Sequence, residues 1–298
     1  MTTLIFGGNG QDGFYLSYLF NQQGIECIAV SRSSLSHKCD VSNYREVEQL
    51  IQKYKPTYIF HLAANSTTSH SALFENHQTI STGTLNILES AYKYSQNTKV
   101  FITGSGLQFK NEGLPISEDS IFEATSPYSI ARIQSVYAAR YYRSLGLKVY
   151  VGYLFHHESP LRKPNHISQM IIQAVKNIDL EQQSNIELGD ISVQKEWTFA
   201  GDVAKAIFTL VQQDDIYETV IGSGITYSIQ DWLEECFNLV NKNWQDYVTL
   251  KKGFQSDYKR LVSNSQKIKS LNWKPEVSLK DLAYIMYNFE PIPDKYKF

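Results

Sequence analysis

The chain predicts an α/β fold: a doubly wound parallel sheet with a smaller C-terminal lobe. Three observations carry this. Through the first half, short apolar runs alternate with helix-length stretches, the pattern of strands joined by crossover helices. The first run, Thr3 to Phe6, ends directly in a glycine-rich loop that opens a helix. After about residue 155 the alternation lapses, and polar stretches at His156 to Asn165 and Glu187 to Lys195 separate the elements. The expected division is a sheet domain over 1–155 and, over 156–298, mainly a lobe that closes one end of it, with some segments returning to the sheet.

Each element has a local reason. Thr3 to Phe6 reads as a buried strand, and Gln11 to Gln23 as the helix after it. Ile25 to Val30 is a second strand. Asn43 to Lys53 is a helix whose Asn43 and Glu46 stand at capping-box spacing. Tyr58 to His61 is a third strand, Thr84 to Tyr94 a helix, and Val100 to Thr103 a fourth strand. Ser129 to Leu145 is a helix with Tyr128 at its entrance, and Val149 to Leu154 a fifth strand. In the second half, Asp231 to Asn241 and Leu279 to Asn288 read as helices.

Composition narrows the function classes. The 298 residues are 42% hydrophobic and 19% charged, which suits a folded globular chain and excludes a disordered one. A formal net charge of -2 gives no electrostatic case for nucleic acid or an anionic membrane as partner. Cys27, Cys39 and Cys236 fit no metal-ligand spacing, and their odd number argues against a disulfide framework. The N-terminus lacks the basic segment of a signal peptide, and no apolar run is long enough to span a bilayer. The expected location is the cytoplasm, with no bound metal.

The glycine loop points to a cofactor. Gly7-Gly8-Asn9-Gly10-Gln11-Asp12-Gly13 fits Gly-x-x-Gly-x-x-Gly from Gly7 and Gly-x-Gly-x-x-Gly from Gly8. Glycines let the backbone turn tightly and approach a pyrophosphate, which then rests on the following helix N-terminus. The second strand ends Val30-Ser31-Arg32, where a site built for NAD(H) would carry an acidic residue to hold the ribose diol. Arg32 instead matches a 2′-phosphate, so NADP(H) is the expected cofactor, with NAD(H) the alternative. Asp40, next to Val41, could accept from the adenine amino group. Leu62, Ala63 and Ala64 end the third strand, where small residues let the backbone pass close to a cofactor, and Leu154 ends the fifth. The sheet domain is therefore read as dinucleotide-binding and the second half as substrate-binding.

The chemistry is expected at Tyr128 and Arg132, in the run Ser126-Pro127-Tyr128-Ser129-Ile130-Ala131-Arg132. A spacing of four places both on one helix face. A cation beside a phenol favours the phenolate, so the tyrosine can trade a proton with a substrate hydroxyl.

Taken together, Gly7 to Gly13, His61 to Ala64, Ser126 to Arg132 and Asp202-Val203 resemble an extended short-chain dehydrogenase/reductase, whose sheet is of the Rossmann type. Within that superfamily the chain is most similar to GDP-mannose 4,6-dehydratases and GDP-4-keto-6-deoxymannose reductases. The string Leu154-Phe155-His156-His157-Glu158-Ser159-Pro160 resembles the dehydratase segment Leu-Phe-Asn-His-Glu-Ser-Pro. Lys195-Glu196-Trp197 falls where that family has Arg-Asp-Trp, and Leu271-Asn272-Trp273-Lys274-Pro275 also matches. The resemblance implies a nucleotide-sugar substrate. It places His156, His157, Glu158 and Arg162 beside the substrate and Lys195 near its diphosphate, with Lys259 or Arg260 as a further cation. It also implies a homodimer through a pair of helices from each subunit. The short loop Ser31 to Lys38 argues against the larger assembly in which a longer segment reaches a neighbour's cofactor.

Two departures shape the activity expected. The fourth strand ends Thr103-Gly104-Ser105-Gly106, where the dehydratase pattern is Ser-Thr-Ser-Glu. In the family the threonine bonds the sugar 4-hydroxyl, and the glutamate removes the proton needed for loss of water. Here both are glycine. Loss of a placed general base costs a factor of about 100 to 10,000. Thr103 or Ser105 could supply a replacement hydroxyl. The second departure is Arg132, where the superfamily has lysine. Three readings follow: a hydride-transferring oxidoreductase acting at sugar C4, a dehydratase with an unusual base such as Glu158 or His157, and a non-catalytic binding partner of an active paralogue. Restoring Gly104→Thr with Gly106→Glu is expected to favour dehydration.

Overall fold

The computed structural model describes residues 1–34 and 37–292. Leu35 and Ser36, in the loop whose shortness bears on assembly, lie outside the described residues. The first half runs β1 (Thr2–Phe6), α1 (Gln11–Gln22), β2 (Glu26–Val30), α2 (Tyr44–Tyr54), β3 (Tyr58–His61), α3 (Leu73–Asn76), α4 (Gly83–Tyr94), β4 (Lys99–Ser105), α5 (Pro127–Ser144) and β5 (Lys148–Leu154). A π-helical stretch, His77–Thr82, joins α3 to α4.

The second half runs β6 (His157–Glu158), α6 (Ile167–Asp179), β7 (Ile186–Leu188), β8 (Gln194–Glu196), β9 (Thr198–Phe199), α7 (Ala200–Val211) and β10 (Glu218–Ile221). It then continues through β11 (Thr226–Ser228), α8 (Ile229–Asn238), β12 (Val248–Leu250), β13 (Arg260–Leu261), α9 (Gln266–Ser270) and α10 (Leu279–Tyr287).

The main sheet has six strands in the order β10-β5-β4-β3-β1-β2. Every pairing in it is parallel. Helices cover both faces, so its strands read as near-continuous apolar runs. Successive residues serve opposite faces. Leu4, Phe6, Ile59, Val100 and Val149 join one buried cluster, while Ile5, Phe60, Phe101 and Tyr150 join the other. Helices α2, α4 and α5 pack side by side, as α1 does with α7. The winding reverses between β1 and β3, which opens a crevice at their carboxyl ends.

Two segments absent from the sequence reading complete this layer. β10 has only four residues, Glu-Thr-Val-Ile, of which the first two are polar. It nevertheless pairs with β5 from Glu218↔Val151 to Ile221↔Leu154. α7 packs against it. The lobe beyond holds three small sheets, β11-β8-β13, β12-β7 and β6-β9. Trp197 and Trp232 stack at 4.8 Å in the buried cluster that also holds Ile5 and Phe101 of the sheet. Asp202, at the start of α7, accepts from the backbone N–H groups of Glu276 and Val277 at 2.9 and 3.1 Å. The indole of Trp273 donates to the Asp202 carbonyl at 2.8 Å, so the C-terminal segment is fastened to the sheet layer.

Local capping sets the helix that matters most. Ser126 caps α5 by accepting from Ser129 N, Ser129 answers to the Ser126 backbone, and Pro127 holds the first helical position. Tyr128 and Arg132 are thereby fixed one turn apart near its start. The capping-box expectation at Asn43 is only half met. Asn43 caps Arg45 N, but Glu46 bonds the Asp40 N–H at 2.8 Å instead of closing back on Asn43 N.

Candidate functional site

The crevice at the carboxyl ends of β1, β3, β4 and β5 is a cavity of about 450 Å³. Its wall brings together Gly7, Gly10, Gln11, Asp12 and Gly13, the strand ends Leu62, Ala64, Thr103, Ser105 and Leu154, and both Tyr128 and Arg132. His156, His157 and Arg162 close the lobe side.

The glycine loop is shaped as a cradle. Gly7 sits at φ +88°, and a Cβ there would lie 2.6 Å from Ala63 N. At Gly13 a Cβ would lie 2.6 Å from Gly8 Cα. Side chains are therefore excluded where α1 meets the loop. Gly10, the N-cap of α1, brings no side-chain acceptor, so the first-turn N–H groups remain for an anion. These features fit the pyrophosphate of a dinucleotide.

Arg32 and Asp40 occupy the far end of this loop. Arg32 is 62% exposed and pairs with Glu75 at 3.3 Å. Asn9 donates to the hydroxyls of Ser31 and Ser33 beside it, at 2.9 and 3.3 Å. Asp40 does not face the cavity. Its Oδ1 accepts from both the N–H and the hydroxyl of Ser42, at 2.9 and 2.8 Å, in a local turn. Val41 is buried against α4, and Asn86 donates to its carbonyl at 2.9 Å.

At the reactive end, the Arg132 guanidinium carbon lies 5.0 Å from the centre of the Tyr128 ring. Arg132 is only 3% exposed, and its Nη1 donates to the Thr103 carbonyl at 2.5 Å. Its Nε is buried without a partner. No carboxylate pairs with it among the described residues, so this buried cation keeps donors for groups entering the cavity. Burial, and then Arg132, push the His61 imidazole beneath it down to about 4. The two candidate hydroxyls differ. Thr103 gives its proton to the His61 carbonyl at 2.7 Å. Ser105 instead accepts, from Leu107 N at 3.2 Å, and keeps its proton for a ligand.

On the lobe side the predicted substrate residues divide. His157 Nε2 lies 2.9 Å from Asp12 Oδ1, and its Nδ1 lies 2.7 Å from the Phe155 carbonyl. Neither ring nitrogen is left for a substrate, so this residue is a strut. Ser159 runs parallel to it and donates to Gln11 Oε1 at 2.9 Å. Glu158 is fully buried. Ser168 donates to its carboxylate at 2.6 Å, and Arg162 Nε stands 3.5 Å away. Burial works against the Glu158 charge, but His156, Arg162 and Lys195 overcome it and hold the carboxyl well below its usual range. Burial, helped by the Lys195 ammonium, pushes His156 down to about 3, and its Nε2 lies 2.6 Å from the Glu158 carboxylate.

The expected diphosphate cations are also redistributed. Lys195 is buried with its Nζ 4.6 Å from the Trp197 ring centre, and it lines neither cavity described here. Burial lowers it to about 8. Lys259 is 78% exposed and pairs with Asp190 at 2.6 Å. Arg260 donates to the Gly113 carbonyl at 3.3 Å. Both lie around a second, neighbouring cavity. The first cavity instead carries Lys163, His166, Asp257 and Tyr258, which the sequence reading did not single out. For His166 the spacing of four from Arg162 was the available signal, and the two side chains meet at 3.1 Å. Asp257 and Tyr258 sit in a polar stretch with no periodicity to mark them.

The expected restoration of the dehydratase pair meets a steric obstacle. A Cβ at Gly104 would lie 2.6 Å from the Tyr153 ring, and one at Gly106 would lie 2.9 Å from Phe155. Tyr153 is fully buried, and its hydroxyl is held by Glu218 at 2.6 Å. The space of the missing side chains has been taken by rings.

Known proteins resemble this chain in sequence and in fold. A family profile described as GDP-mannose 4,6 dehydratase matches residues 4–286. GDP-mannose 4,6 dehydratase 1 of Arabidopsis thaliana is 27% identical over 316 residues, covering 95% of this chain and 88% of its own length. Among solved structures, RMD from Pseudomonas aeruginosa complexed with NADPH superposes with a TM-score of 0.86 at 18% identity, over 96% of this chain and 97% of its own. The dTDP-glucose 4,6-dehydratase of Bacillus anthracis in complex with NAD gives 0.84 at 19% identity, over 99% and 98%.

Proposed function

The chain belongs to the GDP-mannose 4,6-dehydratase family, and from that premise we propose that it is an NADP(H)-dependent oxidoreductase of a nucleotide diphosphate sugar, GDP-linked, reducing a ketone at sugar C4. One observation carries the reading. The proton-relay residues Tyr128, Arg132 and Ser105 line the cavity together, while the elimination positions are Gly104 and Gly106. The substitute bases are poorly placed: Glu158 is fully buried, and both nitrogens of His157 are engaged.

Bound on the glycine loop, a reduced nicotinamide supplies hydride. The residues of the chain do the rest. The Ser105 hydroxyl, keeping its own proton, hydrogen-bonds the ketone oxygen and fixes its direction. Tyr128 delivers the phenolic proton to that oxygen as the carbonyl carbon receives hydride, so an alcohol forms and a phenolate remains. Arg132, whose guanidinium carbon lies 5.0 Å from the centre of that ring, then stabilises the charge. Arg32, with Ser31 and Ser33, supports preference for the 2′-phosphate. Leu85, Tyr137, Tyr141 and Leu145 are exposed on or beside α4 and α5, which supports a homodimer through these helices.

The test is to identify nucleotides released on denaturation by mass spectrometry, then follow nicotinamide absorbance with a GDP-4-keto-6-deoxy sugar and with GDP-mannose. Oxidation of NADPH by the keto sugar, with no loss of water from GDP-mannose, is expected. Dehydration of GDP-mannose would overturn the reading in favour of a lyase, and bound cofactor without turnover of either would favour a binding partner.

A further inference from the structure

Beside the reactive cleft lies the second cavity, of about 730 Å³. Thr68, Gly106, Leu107, Asp257, Tyr258 and Leu261 line both. The two spaces therefore share a wall at Gly106 and Leu107, while the Cβ side of Gly106 is filled by the Phe155 ring. Ser126, the N-cap of α5 and two residues before Tyr128, stands on the wall of the second cavity. A sugar whose reacting carbon faces Tyr128 and Ser105 thus has open space along the Gly106–Leu107 edge.

The chemistry of that wall defines what it takes. Thr125 contributes a hydroxyl, whereas the Asn111 amide donates to the Arg260 carbonyl at 2.8 Å and accepts from Gly113 N at 3.0 Å, and the Ser126 hydroxyl is held by Ser129 in the α5 cap. The wall's charges are largely compensated. Lys259 pairs with Asp190 at 2.6 Å and Glu112 with Lys110 at 2.7 Å, which leaves the Arg260 guanidinium, bonded to the Gly113 carbonyl at 3.3 Å, set against the two carboxylates of Glu123 and Asp257. Phosphate or carboxylate would need an excess of free cations. A neutral hydroxylated group needs acceptors for its O–H groups and a donor for its oxygens, which the Glu123 and Asp257 carboxylates and the Thr125 hydroxyl supply.

We infer that the second cavity is a subsite for a neutral, hydroxylated extension of the reacting sugar, so that the substrate is longer at that end than a plain hexose. The inference rests on the nucleotide-sugar reading above. The experiment is calorimetric titration of the NADPH-loaded protein with two probes, GDP-mannose and GDP-D-glycero-D-manno-heptose, which differ by one hydroxymethylene. The heptose is expected to bind at least about tenfold tighter, the factor that one or two neutral hydrogen bonds supply. Thr125, exposed and lining only the second cavity, is replaced to fill it. Thr125→Trp should erase the preference and leave GDP-mannose affinity unchanged, while Thr125→Ser retains it. Equal affinities in the wild type, or a preference that survives Thr125→Trp, overturn the inference. Failure of both probes with NADPH still bound overturns the GDP-sugar reading itself, and the subsite with it.

Discussion

His157 is held between two groups that can only accept: its Nε2 lies 2.9 Å from the Asp12 carboxylate and its Nδ1 lies 2.7 Å from the Phe155 carbonyl. Both nitrogens must donate, so the ring is an imidazolium. Burial opposes that charge, but Asp12 outweighs it and raises His157. Burial also pushes Asp12 up, and His157, Arg162 and Arg132 more than reverse this.

The pH dependence of stability follows from those directions. A raised histidine stabilises fully below its unfolded value of about 6.5 and loses its contribution as pH rises through the folded value. A lowered aspartate stabilises fully above about 3.9 and loses its contribution as pH falls through its own folded value. His157→Gln should lower stability at neutral pH by about 3 kcal/mol, since it leaves a largely buried carboxylate unpaired. It should also flatten the alkaline decline. Thermal unfolding across pH reads both, and an alkaline limb identical to the wild type would count against the strut.

Turnover should depend on Tyr128 far more than binding does. Tyr128→Phe is expected to lower turnover of a keto sugar about 100- to 10,000-fold, with NADPH affinity little changed. Arg132→Lys keeps the cation and should retain most of the rate, whereas Arg132→Met should resemble Tyr128→Phe. Steady-state rates beside cofactor fluorescence titration separate the two effects.

Cofactor choice should turn on a single ion pair. Arg32→Ala is expected to weaken NADPH about 10- to 100-fold, the worth of a charge-assisted hydrogen bond, and to leave NADH unchanged. Glu75 competes for the same guanidinium at 3.3 Å, so Glu75→Gln should tighten NADPH. Equal affinities for the two cofactors in the wild type would refute this assignment.

The double change Gly104→Thr with Gly106→Glu should fail to restore loss of water. Each Cβ meets a ring closer than 3 Å, and overpacking of that kind costs about 1–3 kcal/mol per site. A lowered unfolding midpoint is expected, with no dehydrated product in the mass spectrum. Efficient dehydration by the double variant would show that the rings yield.

What was legible in the sequence was local. The strands of the sheet are apolar runs, and the Ser126–Arg132 string carries its own cap and its own spacing. β10 escaped because four residues, two of them polar, give no periodicity. The strut escaped because Asp12 and His157 lie 145 positions apart and only the fold brings them together. Lys195 shows the converse. Its place in a matched string suggested a phosphate ligand, yet tertiary packing sets its Nζ over Trp197, off the cavity wall.

The paired ties from α1 to the segment after β5, Asp12 to His157 and Gln11 to Ser159, join the cofactor loop to the wall of the sugar cavity. A ligand that displaces either side therefore acts on the other through these ties. By thermodynamic reciprocity, the factor by which cofactor strengthens sugar-nucleotide binding must equal the factor by which the sugar nucleotide strengthens cofactor binding. The order in which the two arrive is then a matter of rates alone.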